Sequence, residues 1–318
     1  MPKKNMLKTF LSKEMLDSAK KAGIDIGCMI DPQTPKFFVD LNKITAIKQL
    51  PGLILKGKET ENGVEAKLVV KKGMKIKTPI HLCFGATEKT GEQVISSEFL
   101  IEDGAEISIF AHCSFPKAKD FVHRMKARVK IGKNAKFSYI ESHYHGEDFG
   151  AHVFADFEVK NKGLFETSFT LDKGTAGELA ISVDVIGMEN STTKIESKIL
   201  GRGKKDDVEI SDKIFLKGKD ARGLAKMRAL AASGGKVFMQ GMIFASAAGA
   251  RGHLDCQEII IGKGSRAKAI PIVEVENEQA RVTHEASVGK IDQSQLEALM
   301  VKGLSEDEAV DMVISGLF

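Results

Sequence analysis

The sequence predicts a mainly β protein built as a parallel β-helix, with small helical segments at its two ends. Three observations lead there. Beyond Pro51 the chain breaks into short alternating runs such as "AKLVVKKGMKIK", "EISIF", "ARVKIGKNAKFSYIE" and "FMQGMIFAS", the period-two pattern of strands with one buried face. Small polar turns separate these runs at Gly73, Gly104, Asn134, Gly163, Asn190, Asp220, Gly234 and Gly264. Their spacings are 31, 30, 29, 27, 30, 14 and 30 residues. An interval near 30 with one half-interval suits a coil that carries strands on two sides and a turn at each edge. Stacked coils bury a continuous interior that no single coil could bury alone, and leave open sheet edges only at the two ends. A β-sandwich, the competing architecture, would show turns about every 8 to 12 residues and no preferred longer interval.

Residues 1–50 read as a helical and irregular segment. Ser12 is placed to cap a short helix with Met15, Leu16 and Ala19 on one side, stopped by Gly23. "DPQTPKFF" then interrupts the pattern with two prolines. Residues 51–285 form the β-helix core, and residues 286–318 return to helix. In "KIDQSQLEALMVKGL", Asp292 serves as N-cap with Gln295 three residues on; Leu296, Leu299 and Met300 make an apolar side, and Gly303 is the stop. In "LSEDEAVDMVISGLF", Ser305 and Glu308 form a capping box ahead of Ala309, Val310, Met312 and Val313. Such helices either cover the open end of the β-helix or dock a partner.

Bulk properties exclude several classes. The chain has 318 residues, no Trp and two Tyr, so stacking platforms for single-stranded nucleic acid are scarce. A formal charge of +4 is too small to argue for a nucleic-acid partner. Its distribution is uneven, with nine Lys and five acids in residues 1–50 against six acids and one Lys in residues 291–318. No apolar run reaches the roughly 18 to 20 residues that a membrane-spanning helix needs, and the basic N-terminus lacks the apolar core of a secretory signal. Cys28, Cys83, Cys113 and Cys256 are far apart and form no C-x-x-C pair, which fits reduced thiols in the cytoplasm. Without G-x-x-x-x-G-K-[ST], G-x-S-x-G, H-E-x-x-H or a dinucleotide fingerprint, the chain does not read as a stand-alone nucleotide hydrolase.

One constellation could carry chemistry. "RGHLDCQEIIIGKGS" places Cys256 inside a strand, and about one coil later "ARVTHEASVGKI" brings His284 and Glu285. A thiolate, an imidazole and a carboxylate at that spacing make a candidate iron site. Types and spacing alone leave two bland alternatives, a thiol packed as a small hydrophobe and a structural histidine.

The stretches "GHLDCQEIIIGKGS", "PIVEVENEQARVTHEASVGKID" and "LMVKGLSEDEAVDMVISGLF", in this order, resemble the C-terminal signature of the SufB/SufD family, the scaffold subunits of the SUF iron–sulfur assembly machinery. The resemblance is close over residues 250–318. It extends more loosely through "GVEAKLVVKKGMKIKTPIHLCF" and "EISIFAHCSFPKAKDFVHRMKARVKIGKNAKFSYIESHYHG". It implies a flattened, right-handed parallel β-helix with helical ends. It also implies that Cys256 holds a nascent iron–sulfur cluster at a subunit interface together with His284 and Glu285. "AHCSFP" is similar to the motif of B-type subunits whose cysteine accepts incoming sulfur, which would give Cys113 that role, with Glu141 and His143 beside it. Three departures stand out: Thr283 where B-type subunits carry an acid, and Glu141 and His143 where they carry Gln and Trp. A packed strand thiol is the competing reading of Cys113, and the histidines of "HYHG" read as solvated strand positions.

The resemblance implies a scaffold that builds a cluster and passes it to apo iron–sulfur proteins. Sulfur would come from a cysteine desulfurase or another donor, and ATP hydrolysis from a SufC-type ABC ATPase. The docking segment would be the C-terminal tail. Leu304, Val310, Met312, Val313 and Ile314 would supply its apolar contacts, and Glu306, Asp307 and Glu308 its charges. A cluster usually takes four protein ligands, and one chain offers at most three at this locus. A second copy of the chain related by a two-fold axis would supply the rest, which predicts a homodimer. Nothing in the sequence supports a flavin. A SufD-like adaptor that anchors the ATPase without holding a cluster is the alternative within the family, although Cys256 and the His284–Glu285 pair speak for the scaffold. A carbohydrate-active β-helix enzyme fits poorly without aromatic sugar platforms or a secretion signal.

Overall fold

A computed structural model of the chain describes residues 11–291, 293–305, 308, 309, 312, 313 and 316. Among the described residues the chain forms nineteen strands, most of them stacked as a parallel β-solenoid of about eight turns. Odd-numbered strands from β5 (Ile80–Gly85) to β19 (Arg281–Lys290) line one sheet, and even-numbered strands from β4 (Gly63–Val70) to β18 (Arg266–Val275) line the other. Each coil therefore gives one strand to each sheet, and successive coils pair in parallel register. The first coils close by antiparallel pairing, β1 (Lys36–Asp40) with β2 (Lys43–Lys48) and β3 (Leu53–Glu59) with β4. Two strands thus lie inside the 1–50 segment, because "KFFVD" and "KITAIK" follow Pro35 with sheet-forming residues. At the far end β19 runs on through residue 285 to Lys290.

Seven of the eight expected turn residues adopt a positive φ, from 54° at Asn134 to 92° at Gly234. At the remaining turn the left-handed residue is Lys162, with φ 54°. Gly163 serves there by close approach instead, since a Cβ on it would lie 2.9 Å from both the Lys160 carbonyl oxygen and Val159 Cγ1.

The core lies between the inward faces of the two sheets and runs the length of the solenoid, from Phe37 and Leu55 to Leu254 and Cys256. The N-terminal helices pack outside it. Ser12 Oγ accepts from the Met15 amide at 3.1 Å and caps α1 (Lys13–Lys21), and Asp25 caps the short α2 (Ile26–Ile30). Met15, Ala19 and Met29 bury against Phe38 and Cys83 on the outer face of the odd-strand sheet. Cys83 is therefore a packing residue. At the other end α3 (Gln293–Val301) and the residues after it form a small core of Leu296, Ala309 and Val313, with Ile291, Leu299 and Leu304 packed alongside. Asp292, the expected cap of α3, lies outside the described residues. The Ser305–Glu308 capping box is present: the Ser305 amide donates to Glu308 Oε2 at 2.8 Å, and the Glu308 amide donates to Ser305 Oγ at 3.3 Å.

The last coil is left uncovered. β19 is an edge strand exposed along almost its whole length, and β18 is the matching edge of the even-strand sheet. Among the described residues no helix is long and apolar enough to cross a membrane.

Candidate functional site

Two clusters of titratable side chains interrupt the apolar interior. Both lie on one inward column of the odd-strand sheet, in which strand pairing aligns Ala111, Glu141, Phe169, Ser197, Met227, Cys256 and Ala286. Glu141 and Cys256 are four strand spacings apart, about 19 Å. Their 115-residue separation in the chain collapses because each coil returns to the same place.

The first cluster is set by period-two alternation on β7 (Glu106–Phe115) and β9 (Lys136–His145), which turns Cys113, Glu141, His143 and His145 inward. All four are buried. Cys113 Sγ lies 3.6 Å from Glu141 Oε1, His143 Nε2 lies 2.9 Å from the same oxygen, and His143 Nδ1 lies 3.0 Å from His145 Nε2. The chain of contacts ends at the Ala176 carbonyl oxygen, 3.3 Å from His145 Nδ1. His123, on β8 (Lys119–Ile131), approaches from the opposite sheet with Nε2 3.9 Å from Cys113 Sγ. The histidines of "HYHG" are thus core residues rather than solvated strand positions, because the inward side of this strand faces a closed interior.

Burial dominates the electrostatics. It drives the His123 imidazole down to about 3, with His143 adding to the fall, and holds His145 well below the usual histidine range. It also pushes the Cys113 thiol well above its ordinary value, and the Glu141 carboxylate adds to the rise. Cys113 is consequently a neutral thiol in this state. The donor atoms of Cys113, Glu141 and His143 lie within 4.8 Å of one another, a mixed sulfur, oxygen and nitrogen set of the kind that holds divalent transition metals. His123 is the member that sequence reasoning missed; its place at an inward position of an alternating strand was the available signal.

The second cluster lies at the open end. Cys256, on β17 (Arg251–Ile261), is 2% exposed and its Sγ lies 3.8 Å from Met227 Sδ. Desolvation pushes its thiol up to about 12, and the Glu258, Asp212 and Asp255 carboxylates add to this while Arg228 opposes it. Asp212, on β14 (Asp207–Leu216), accepts from Ser197 Oγ at 2.7 Å through Oδ2 and is raised to about 6 by burial. Behind Cys256, on the outer face of the sheet, Arg228 forms an ion pair with Asp255 and also donates to the Met227 carbonyl oxygen at 3.0 Å. This clamp fixes the backbone that carries the thiol.

The structure puts two of the three expected iron donors, Cys256 and His284, on the same side of the sheet, while among the described residues the one group of three donors close enough to share an ion is Cys113, Glu141 and His143. Strand pairing sets Leu254 opposite His284, Asp255 opposite Glu285 and Cys256 opposite Ala286. Val282 packs on the core, so alternation puts His284 on the same inward side as Cys256, one diagonal step away and exposed where the last coil is open. Glu285 falls on the outer face, as does Thr283, whose Oγ1 lies 2.8 Å from His253 Nδ1. Among the expected docking residues, Leu304 is half-buried, Val313 is buried within the small C-terminal core, Met312 is exposed, and Glu308 is engaged in its capping box. Glu306, Asp307, Val310 and Ile314 lie outside the described residues.

Comparison with known proteins identifies the family. Residues 86–317 match the family described as SUF system FeS cluster assembly, SufBD core domain. An iron–sulfur cluster assembly SufBD family protein of Methanocaldococcus jannaschii is 40% identical over 285 residues, covering 89% of this chain and 90% of the relative. A family protein of Pyrococcus horikoshii is 31% identical over 303 residues, covering 95% and 92%, and one of Archaeoglobus fulgidus is 25% identical over 244 residues, covering 77% and 65%. With the family's core domain matched over most of the solenoid and two relatives similar along nearly their whole length, the chain belongs to the SufBD family of iron–sulfur cluster assembly proteins.

Proposed function

We propose that this chain is a scaffold on which an iron–sulfur cluster is assembled and then handed to apo-proteins, with Cys256 and His284 as its holding residues. The observation that carries this reading is their shared inward face at the uncovered end of the solenoid. The cluster is cargo, and the open coil lets it arrive and leave. Thiolate and imidazole are suitable iron ligands, and binding requires Cys256 to lose its proton, which a nearby cation favours. One chain supplies too few ligands. A second copy meeting this end across a two-fold axis doubles the donors and pairs the bare β18 and β19 edges, with Glu285 on the outer face of the same edge strand. A SufC-type ABC ATPase supplies ATP hydrolysis and docks on the C-terminal segment, where Val301 and Met312 remain exposed.

Cys113 is proposed as an acceptor of sulfur from a cysteine desulfurase or another persulfide donor. Its sulfur attacks the donor's sulfane sulfur, so that a Cys113 persulfide forms and the donor's S–S bond breaks. The Cys113 proton passes to Glu141 and the departing donor thiolate takes up a proton. The Glu141–His143–His145 contacts support this by offering the proton a route.

The test is anaerobic reconstitution of the purified chain with iron and sulfide, read by its visible spectrum. Cys256→Ser and His284→Ala should lose the cluster absorption while keeping the wild-type strand content by circular dichroism. Normal reconstitution of Cys256→Ser would remove the site assignment, and a wild-type chain that forms no chromophore would favour the adaptor reading.

A further inference from the structure

We propose that Glu258 is a further iron-holding side chain at the open end, the carboxylate on the same inward side of the sheet as Cys256 and His284. The inference rests on the reading of Cys256 given above and adds to it a residue that neither the motif nor the family likeness singles out. Glu258 follows Cys256 by two positions on β17, so alternation puts both side chains on the same inward face, with Cα atoms about 6.6 Å apart. It is 1% exposed, and beyond a contact with its own backbone amide neither carboxylate oxygen has a hydrogen-bond partner among the described residues. Its in-register neighbours on β15 (Arg222–Ala232) and β19 are Ala229 and Val288, which have no side-chain donor to offer. A buried carboxyl group without a partner is destabilising even when neutral, and more so when ionised. An aliphatic residue would suit that position better, as Leu254 and Ile243 do at other inward positions of this coil.

The group makes sense as half of a pair whose other half is a cation. A divalent iron ion between the Cys256 thiolate and the Glu258 carboxylate is charge-balanced, and both anions are then compensated in a low-dielectric interior. The long glutamate arm lets the carboxylate fold back toward the thiol, and His284 approaches from the opposite diagonal on β19. Asp212 is the other buried carboxylate near the thiol, but Ser197 already donates to its Oδ2, leaving only Oδ1 without a partner. Glu285 has the same chemistry and lies on the wrong face of the strand. Thiolate, carboxylate and imidazole together hold iron less firmly than thiolates alone, which suits transient cargo.

The test uses the full chain under anaerobic conditions, with Co(II) as a spectroscopic probe and Fe(II) by equilibrium dialysis. The reporter is the part of the near-ultraviolet thiolate-to-Co(II) absorption that Cys256→Ser removes. Glu258→Gln and Glu258→Leu should weaken the affinity read from this absorption about tenfold or more. Glu258→Leu should also raise the thermal midpoint of the metal-free chain, because it removes an unpartnered polar group. Unchanged affinity in both variants, or a lowered midpoint in Glu258→Leu, would overturn the proposal, the latter because the carboxylate would then be supporting the fold. If Cys256→Ser removes no absorption and no bound iron, the Cys256 reading falls and this inference falls with it. If Cys256→Ser loses the metal and the Glu258 variants do not, Glu258 alone is excluded.

Discussion

The buried histidines set the acid response of the protein one residue at a time. His123 is held near 3 in the folded chain against an ordinary value of about 6.5, so the unfolded chain binds a proton that the folded one refuses. This stability is complete above about pH 6.5 and is lost as the pH falls toward 3. Asp212 and Glu258 act with the opposite sign. Burial raises them to about 6 and about 7, so the cost of their charges is relieved as the pH drops. His123→Leu should therefore flatten the acid limb of an unfolding-free-energy profile by up to about 1.4 kcal/mol per pH unit below pH 6. Urea titrations at a series of pH values would show it, and a limb as steep as that of the wild type would contradict neutral burial of this ring.

At the scale of the element, turns and strand edges carry the argument. Asn134 holds φ 54° and its amide donates to the Asn161 carbonyl oxygen of the next coil at 3.0 Å, so each turn is tied to the one stacked above it. Asn134→Gly should be close to neutral. Asn134→Val should cost about 1 to 2 kcal/mol, because a β-branched residue resists the left-handed region; equilibrium denaturation would measure both. The C-terminal segment is a separate element with its own small core. Removing residues 303–318 takes Val313 and Ala309 away from Leu296 while leaving every solenoid strand intact. The truncated chain should keep its strand signature by circular dichroism and fail to co-purify with a SufC-type ATPase, and undiminished co-purification would place docking elsewhere.

For the whole molecule, the closed start and the open finish of the solenoid matter most. Antiparallel strands and the helices α1 and α2 shield the first coils, whereas β18 and β19 offer unpaired backbone to any matching edge. Val288 lies on the inward side of β19 and is 49% exposed, a position that a second copy would cover. Val288→Lys should convert a dimer to a monomer without lowering the thermal midpoint by more than a few degrees, because the residue has little to lose in the isolated chain. Analytical ultracentrifugation decides this, and a dimer that survives the lysine would mean that the copies do not meet through this end.

The roughly 30-residue spacing of turns favoured a coil over a sandwich, the family resemblance pointed to the same β-helix, and capping residues marked the helical ends, since alternation, turn and cap chemistry are local properties written in neighbouring residues. The thiol Cys256, the His284–Glu285 pair and the Cys113 motif were likewise visible as residue types. What no local pattern could supply was the side of the wall on which each group stands relative to residues one or several coils away. Register between strands put His284 inside and Glu285 outside, buried "HYHG", brought His123 to Cys113 across the two sheets and left Glu258 without a partner. Each of these outcomes depends on contacts between distant coils, and such contacts exist only once the chain has closed on itself.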